Sequence, residues 1–272
     1  MINNNICFMG TPMIAGNWKM NKGEEDLAKN VAQGTEDRKN NNNGKYIDVV
    51  MLPPLTSLGS VIAQVKGKPV SVGVQNFHQK DKGAYTGEVS LSMIKEFAPE
   101  VKYAIIGHSE RRAMFGETDE LVNLKTKKAL EMGIIPIVCV GETKEQRDAG
   151  KTDEVVSNQV TAALKDIKQE DISKVVIAYE PVWAIGKKAT GKCNPEEADR
   201  VCKLVRSTVS NVAGSEQAGK DITVLYGGSV SEKNADQYAS MPNIDGPLVG
   251  GAALKSERFL AIADAFNAKK NG

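Results

Sequence analysis

Residues 174–212 read KVVIAYEPVWAIGKKATGKCNPEEADRVCKLVRSTVSNV, and they hold one complete unit of the fold. The stretch opens on VVIAY, β-branched and apolar on both faces, as in a parallel strand covered on both sides. The apolar run stops on a charged residue, Glu180, with Pro181, Val182 and Trp183 directly behind it. Small and basic residues follow, and then a helical pattern. Asn194 suits the N-cap of that helix and Pro195 its first position, where a missing N–H costs nothing. A plain connector needs fewer residues and no tryptophan, so 181–194 carries more than a turn.

The same alternation repeats along the whole chain. Strands are expected at 13–19, 46–52, 70–75, 103–107, 134–140, 174–180, 222–226 and 247–250, with helices such as 119–132, 153–168 and 195–212 between them. Eight strand–helix units without a boundary linker give an α/β fold, a single (β/α)8 barrel over 1–272, with 1–12 as an N-terminal extension. A doubly wound sheet is the alternative, but no GxGxxG turn stands where it would place a dinucleotide. KNNNNGK at 39–45 is the one low-complexity segment, read as a solvated loop between the first helix and the second strand.

Composition narrows the function. Against 35 basic residues stand 34 acidic ones, so no basic stripe argues for nucleic acid and an anionic ligand must be captured locally. Cys7, Cys139, Cys193 and Cys202 are scattered without a CxxC pair, and only two histidines are present. That is the usage of reduced thiols, with neither a disulfide frame nor a zinc site. The N-terminal MINNNICFMGTPM lacks the basic flank of a signal peptide, and no run approaches the ~18 apolar residues of a membrane span. A cytoplasmic protein, bound to no membrane, is expected.

Barrel sites lie at the carboxyl ends of the strands. The first strand ends Asn17-Trp18-Lys19, and a period of two puts Asn17 and Lys19 on one face toward the mouth. A lysine there either meets an anionic substrate or reaches solvent from a frayed end. The fourth ends in Gly107-His108-Ser109-Glu110, at a helix start whose dipole favours a neutral imidazole. Such a ring either donates to a developing oxyanion or is a satisfied core histidine; His78 is read as structural. Glu180, walled by Pro181 and Trp183, is desolvated toward the basicity of a general base, or else pairs with Lys19 or an arginine. Glycines after the seventh strand (Gly227, Gly228, before Ser229) and the eighth (Gly250, Gly251) allow backbone N–H groups close to a phosphate.

NWKMN, GAYTGE, IIGHSERR, FGETDE, VCVGE, YEPVWAIG, YGGSV and DGPLVGG occur in the order and approximate spacing of the triosephosphate isomerase family, which the chain resembles from residue 13 to its C-terminal helix. The resemblance implies interconversion of dihydroxyacetone phosphate and glyceraldehyde 3-phosphate, in glycolysis and gluconeogenesis, by a homodimer without cofactor or metal. It also implies roles. Glu180 is then the base and His108 the electrophile, assisted by Asn17 and Lys19, with Glu110 the supporting carboxylate beside Lys19 and His108. Gly186, Ser229, Gly250 and Gly251 grip the phosphate, and Thr86 is the loop tip that braces the neighbouring subunit. Segment 181–194 becomes the lid over Glu180, latched by Tyr226 and Ser229.

One departure concerns that lid. The family has six residues between Ala-Ile-Gly and the helix-opening proline; this chain has eight, KKATGKCN, which puts Lys187 and Lys188 at the tip. Either the extra residues are solvated and harmless, or closure is altered and the barrel binds phosphate with weakened catalysis. Pro247 also replaces the usual aromatic, and a two-residue excess lies near 98–102.

Overall fold

The computed structural model describes residues 10–23, 25–186 and 189–271. Its eight strands are β1 (Met13–Asn17), β2 (Asp48–Leu52), β3 (Val70–Val74), β4 (Val101–Ile106), β5 (Ile135–Val140), β6 (Val176–Tyr179), β7 (Thr223–Tyr226) and β8 (Gly246–Val249). They pair in parallel, in chain order, and β8 returns to β1 through Ala15 opposite Leu248 and Gly16 opposite Val249. The expected barrel is therefore closed, and the doubly wound alternative is excluded.

The strands read as continuous apolar runs because each faces two cores. Met13, Ala15, Tyr103, Ile105, Ile137, Val176, Ala178 and Leu225 fill the barrel interior. Their neighbours Ile14, Ala104, Ile106, Val138 and Ile177 face the surrounding helices. Each Val, Ile, Leu or Met side chain among them contributes roughly 1.5–3 kcal/mol when fully buried. Six of the eight strands are shorter than expected, while β4 begins two residues earlier than expected and β8 is shifted by one. In particular β1 stops at Asn17, two residues before Lys19.

The helix after the lid matches its sequence signals. Asn194 accepts from the Glu197 N–H at 2.8 Å, Pro195 opens the helix Pro195–Ala213, and Gly214 ends it at φ 61°. The segment 39–45 is a correction. The first helix, Glu25–Asn41, runs through its opening residues, and the loop begins only near Asn42, with Asn43 and Gly44 at positive φ. Asparagine and glycine are the residues that tolerate that backbone. The excess at 98–102 joins the helix Leu91–Phe97 to β4, where Ala98 and Val101 are buried.

Candidate active site

At the carboxyl ends of the strands lies a cavity of about 510 Å³. Its lining includes Asn17, Lys19, His108, Glu180, Gly186, Ser229, Gly250 and Gly251, so eight of the residues singled out by sequence meet there. Glu110 supports the site from behind, through its contact with Lys19.

Lys19 reaches the mouth by a different route from the one expected. The strand does not continue to it; instead its backbone turns to φ 52°, a costly conformation for a residue with a β-carbon. The Asn17 side chain stabilises the turn by accepting the Lys19 N–H at 2.9 Å. Gln75 Nε2 holds it from just past β3, donating to the Lys19 carbonyl at 3.0 Å and the Leu52 carbonyl at 2.9 Å. Lys19 Nζ then donates to Glu110 Oε1 at 2.5 Å, so the ammonium enters the cavity partnered.

His108 caps the helix Ser109–Phe115, its Nδ1 accepting from the Glu110 N–H at 3.2 Å. An accepting Nδ1 leaves the proton of the neutral ring on Nε2, which faces Glu180 Oε1 at 3.0 Å. Burial pushes this imidazole down, but Glu180 outweighs burial and the net shift is upward. The upward pull thus comes chiefly from the contact with Glu180. A ligand that parts the two residues removes it, and burial, Lys19 and the helix N-terminus then favour the neutral ring.

Glu180 is 2% exposed. Burial raises its carboxyl, yet the His108 contact and the Ser109 N–H at 2.8 Å together hold it below the ordinary value. The increase in basicity expected from desolvation therefore belongs to a carboxylate released from these two donors. Trp183, three residues on, is held at its polar edge. The indole Nε1 donates to fully buried Glu142 at 2.7 Å, and Glu142 also accepts from the Tyr179 hydroxyl.

Gly250 and Gly251 begin a short turn, Gly251–Leu254, and a β-carbon at Gly250 would stand 3.3 Å from Lys19 Cε. Ser229 Oγ donates to the Ala184 carbonyl at 2.8 Å, tying the β7 loop to the root of segment 181–194. Tyr226 stacks on Tyr238 at 4.6 Å, and Tyr238 donates to the Cys193 carbonyl at 2.6 Å, at the far end of that segment. Lys187 and Lys188 lie outside the described residues. Thr86 is exposed and is not among the residues that line the cavity; it forms with Gly87, at φ 92°, the corner of a turn closed by Glu88 N–H to Tyr85 O at 3.0 Å.

Sequence reasoning assigned nothing to Gln75, Glu117, Glu142 or Arg147. Glu117 and Glu142 stand inside the quoted motifs FGETDE and VCVGE, so a signal existed. Glu117 is buried, accepts from the Gly107 N–H at 2.8 Å and pairs with Arg111 and Lys125, which bolsters the turn that carries His108.

A profile described as triosephosphate isomerase matches residues 12–266. The chain belongs to the triosephosphate isomerase family. A triosephosphate isomerase of Herminiimonas arsenicoxydans is 47% identical over 258 residues, covering 94% of this chain and 100% of that protein. Those of Chlorobium phaeobacteroides and Caldanaerobacter subterraneus are 47% and 46% identical, each over 94% of this chain and 99% and 100% of theirs. Family membership thus extends over the barrel and every residue of the cavity just described.

Proposed function

We propose that the chain interconverts dihydroxyacetone phosphate and D-glyceraldehyde 3-phosphate through an enediolate. The observation that carries this reading is the pairing of Glu180 Oε1 with His108 Nε2 at 3.0 Å on one wall of a cavity that also holds Lys19. A carbonyl oxygen entering between them takes the His108 N–H, and Glu180 is released toward the adjacent C–H. Glu180 then removes the proton from one carbon and returns it to the neighbouring carbon. The Nε2–H of neutral His108 donates to the oxygen on which charge develops and passes that proton to it, taking the hydroxyl proton of the neighbouring oxygen in exchange, while Lys19 balances the charge. Asn17 holds the Lys19 turn, and Glu110 holds Lys19 by an ion pair and His108 through its own N–H. Backbone N–H groups at Gly186, Ser229, Gly250 and Gly251 receive the phosphate. No cofactor or metal takes part in these steps, and the reaction serves glycolysis and gluconeogenesis.

The working form is read as a homodimer, each chain one domain. Met20, next to Lys19, is 97% exposed; Tyr85, next to Thr86, and Met114 and Phe115, in the helix that His108 caps, are exposed as well. A partner's Thr86 turn covering that surface would brace Lys19 and His108. We read the compartment as cytoplasmic, since Cys139, Cys193 and Cys202 are free thiols and Cys7 lies outside the described residues. Among the described residues no helix is long and apolar enough to cross a membrane, and no group of His, Cys, Asp or Glu could hold a metal.

The test is an assay of purified protein on glyceraldehyde 3-phosphate that follows dihydroxyacetone phosphate and methylglyoxal together. Rapid isomerisation, abolished in Glu180→Gln, supports the reading; no isomerisation by the folded parent overturns it.

A further inference from the structure

Arg147 touches both ends of the lid. Its guanidinium carbon lies 4.0 Å from the centre of the Trp183 ring, and the same group reaches Glu197 Oε1 at 3.3 Å. Trp183 stands three residues beyond Glu180, where the lid leaves the barrel. Glu197 lies in the first turn of the helix Pro195–Ala213, where the lid returns. Both ends of the segment therefore meet on one side chain from the short helix Lys144–Asp148.

Each end is also fixed independently. Glu142 takes the indole N–H edge at 2.7 Å and lies 3.8 Å from Arg147, so the tryptophan is held by a cation on its face and an anion at its edge. Glu197 accepts from Arg200 at 2.8 Å, and Arg200 in turn pairs with Asp153 at 2.8 Å. A planar guanidinium that stacks and pairs at once has its orientation set by both contacts. Moving Trp183 thus disturbs the ion pair, and moving Glu197 disturbs the stack. Arg147, Trp183 and Glu197 do not line the cavity that takes substrate.

We propose that Arg147 is a positioning residue that couples the two ends of the lid and sets how completely it stays closed during turnover. The inference rests on the isomerase reading above. Arg147 is 33% exposed, so solvent screens the pair and its effect is several-fold rather than thousand-fold.

The consequence is read in the product ratio. An enediolate left uncovered expels its phosphate: the enediolate electron pair moves in, the C–O bond to phosphate breaks, and the remaining enol becomes methylglyoxal. Arg147→Met keeps the length of the stem and loses the charge and the plane. It is expected to raise KM and the methylglyoxal fraction each by about three- to five-fold, the worth of one partly exposed stack, with kcat within about two-fold. Glu197→Gln, which removes the pair and leaves the stack, should move both in the same direction by less. Arg147→Lys, which keeps the charge without the plane, should fall between parent and Arg147→Met.

An independent readout comes from 5-fluorotryptophan, since the chain has two tryptophans. The Trp183 ¹⁹F resonance is assigned by its loss in Trp183→Phe and followed as glycerol 3-phosphate is added. Glu197→Gln should change its free position or its response. Unaltered KM, methylglyoxal fraction and Trp183 resonance in both Arg147→Met and Glu197→Gln would overturn the proposal. If Arg147→Met does not fold, Glu197→Gln decides. A folded parent without isomerase activity sinks the functional reading instead, and the resonance alone then judges the coupling.

Discussion

A β-carbon on Gly227 would stand 2.7 Å from Glu180 Cγ. The glycine after β7 is thus the wall against which the stem of Glu180 rests, and the Tyr179 carbonyl behind it leaves no room for adjustment, since the Gly227 N–H donates to it at 2.7 Å. Gly227→Ala is expected to displace Glu180 and to lower kcat by about 10²-fold, as misplacing a catalytic group does. Its unfolding midpoint in urea should fall modestly. Unchanged kcat would show that the carboxylate does not need this wall.

Shortening the base tests its reach directly. Glu180→Asp withdraws the carboxylate by one methylene and should lower kcat by about 10²- to 10³-fold, with affinity for glycerol 3-phosphate similar to the parent. Undiminished turnover would remove Glu180 from the role of base.

Lys19→Met leaves Glu110 without its ammonium and removes a cation from the cavity. Affinity for inorganic phosphate and for glycerol 3-phosphate should fall by about ten-fold or more, measured by calorimetry. Undiminished affinity would return Lys19 to the solvated reading.

The His108–Glu180 contact has a pH signature. Glu180 is held below its ordinary 4.5, so its contribution to stability is present above that pH and is lost as pH falls through the depressed value. His108 is held above its ordinary 6.5, so its contribution is full below that pH and is lost as pH rises through the elevated value. The contact is therefore worth most between about pH 4.5 and 6.5. By NMR, His108 in the free protein should titrate above 6.5, and Glu180→Gln or bound glycerol 3-phosphate should move that midpoint down. A midpoint that ignores both would mean that Glu180 is not what raises it.

Glu142 offers a stability test away from the chemistry. Glu142→Leu deprives the buried Trp183 N–H and Tyr179 O–H of their acceptor and should cost about 2–4 kcal/mol in urea unfolding. Glu142→Gln keeps an acceptor oxygen and should cost much less. Equal losses would mean that charge, and not the shared acceptor, is what the site requires.

The barrel and the address of the site were legible in the residues alone. Runs such as VVIAY, apolar at every position, require two covering layers, and eight strand runs separated by helices close into one sheet. Asn17, His108, Glu180 and the glycines after β7 and β8 follow because parallel strands all deliver their ends to one rim. Asn194 and Pro195 likewise fixed a helix start from local backbone needs alone. How the groups hold one another came from packing between segments distant in the chain. The positive φ of Lys19 depends on Gln75, which comes from the loop after β3. The net shifts of His108 and Glu180 depend on a 3.0 Å contact between residues 72 positions apart, and neither side chain advertises it locally. Glu142 and Arg147 are invisible to periodicity for the same reason. A charged residue in a short loop or helix reads as solvated until the packing of a distant tryptophan, and of the helix beyond the lid, gives it something to hold.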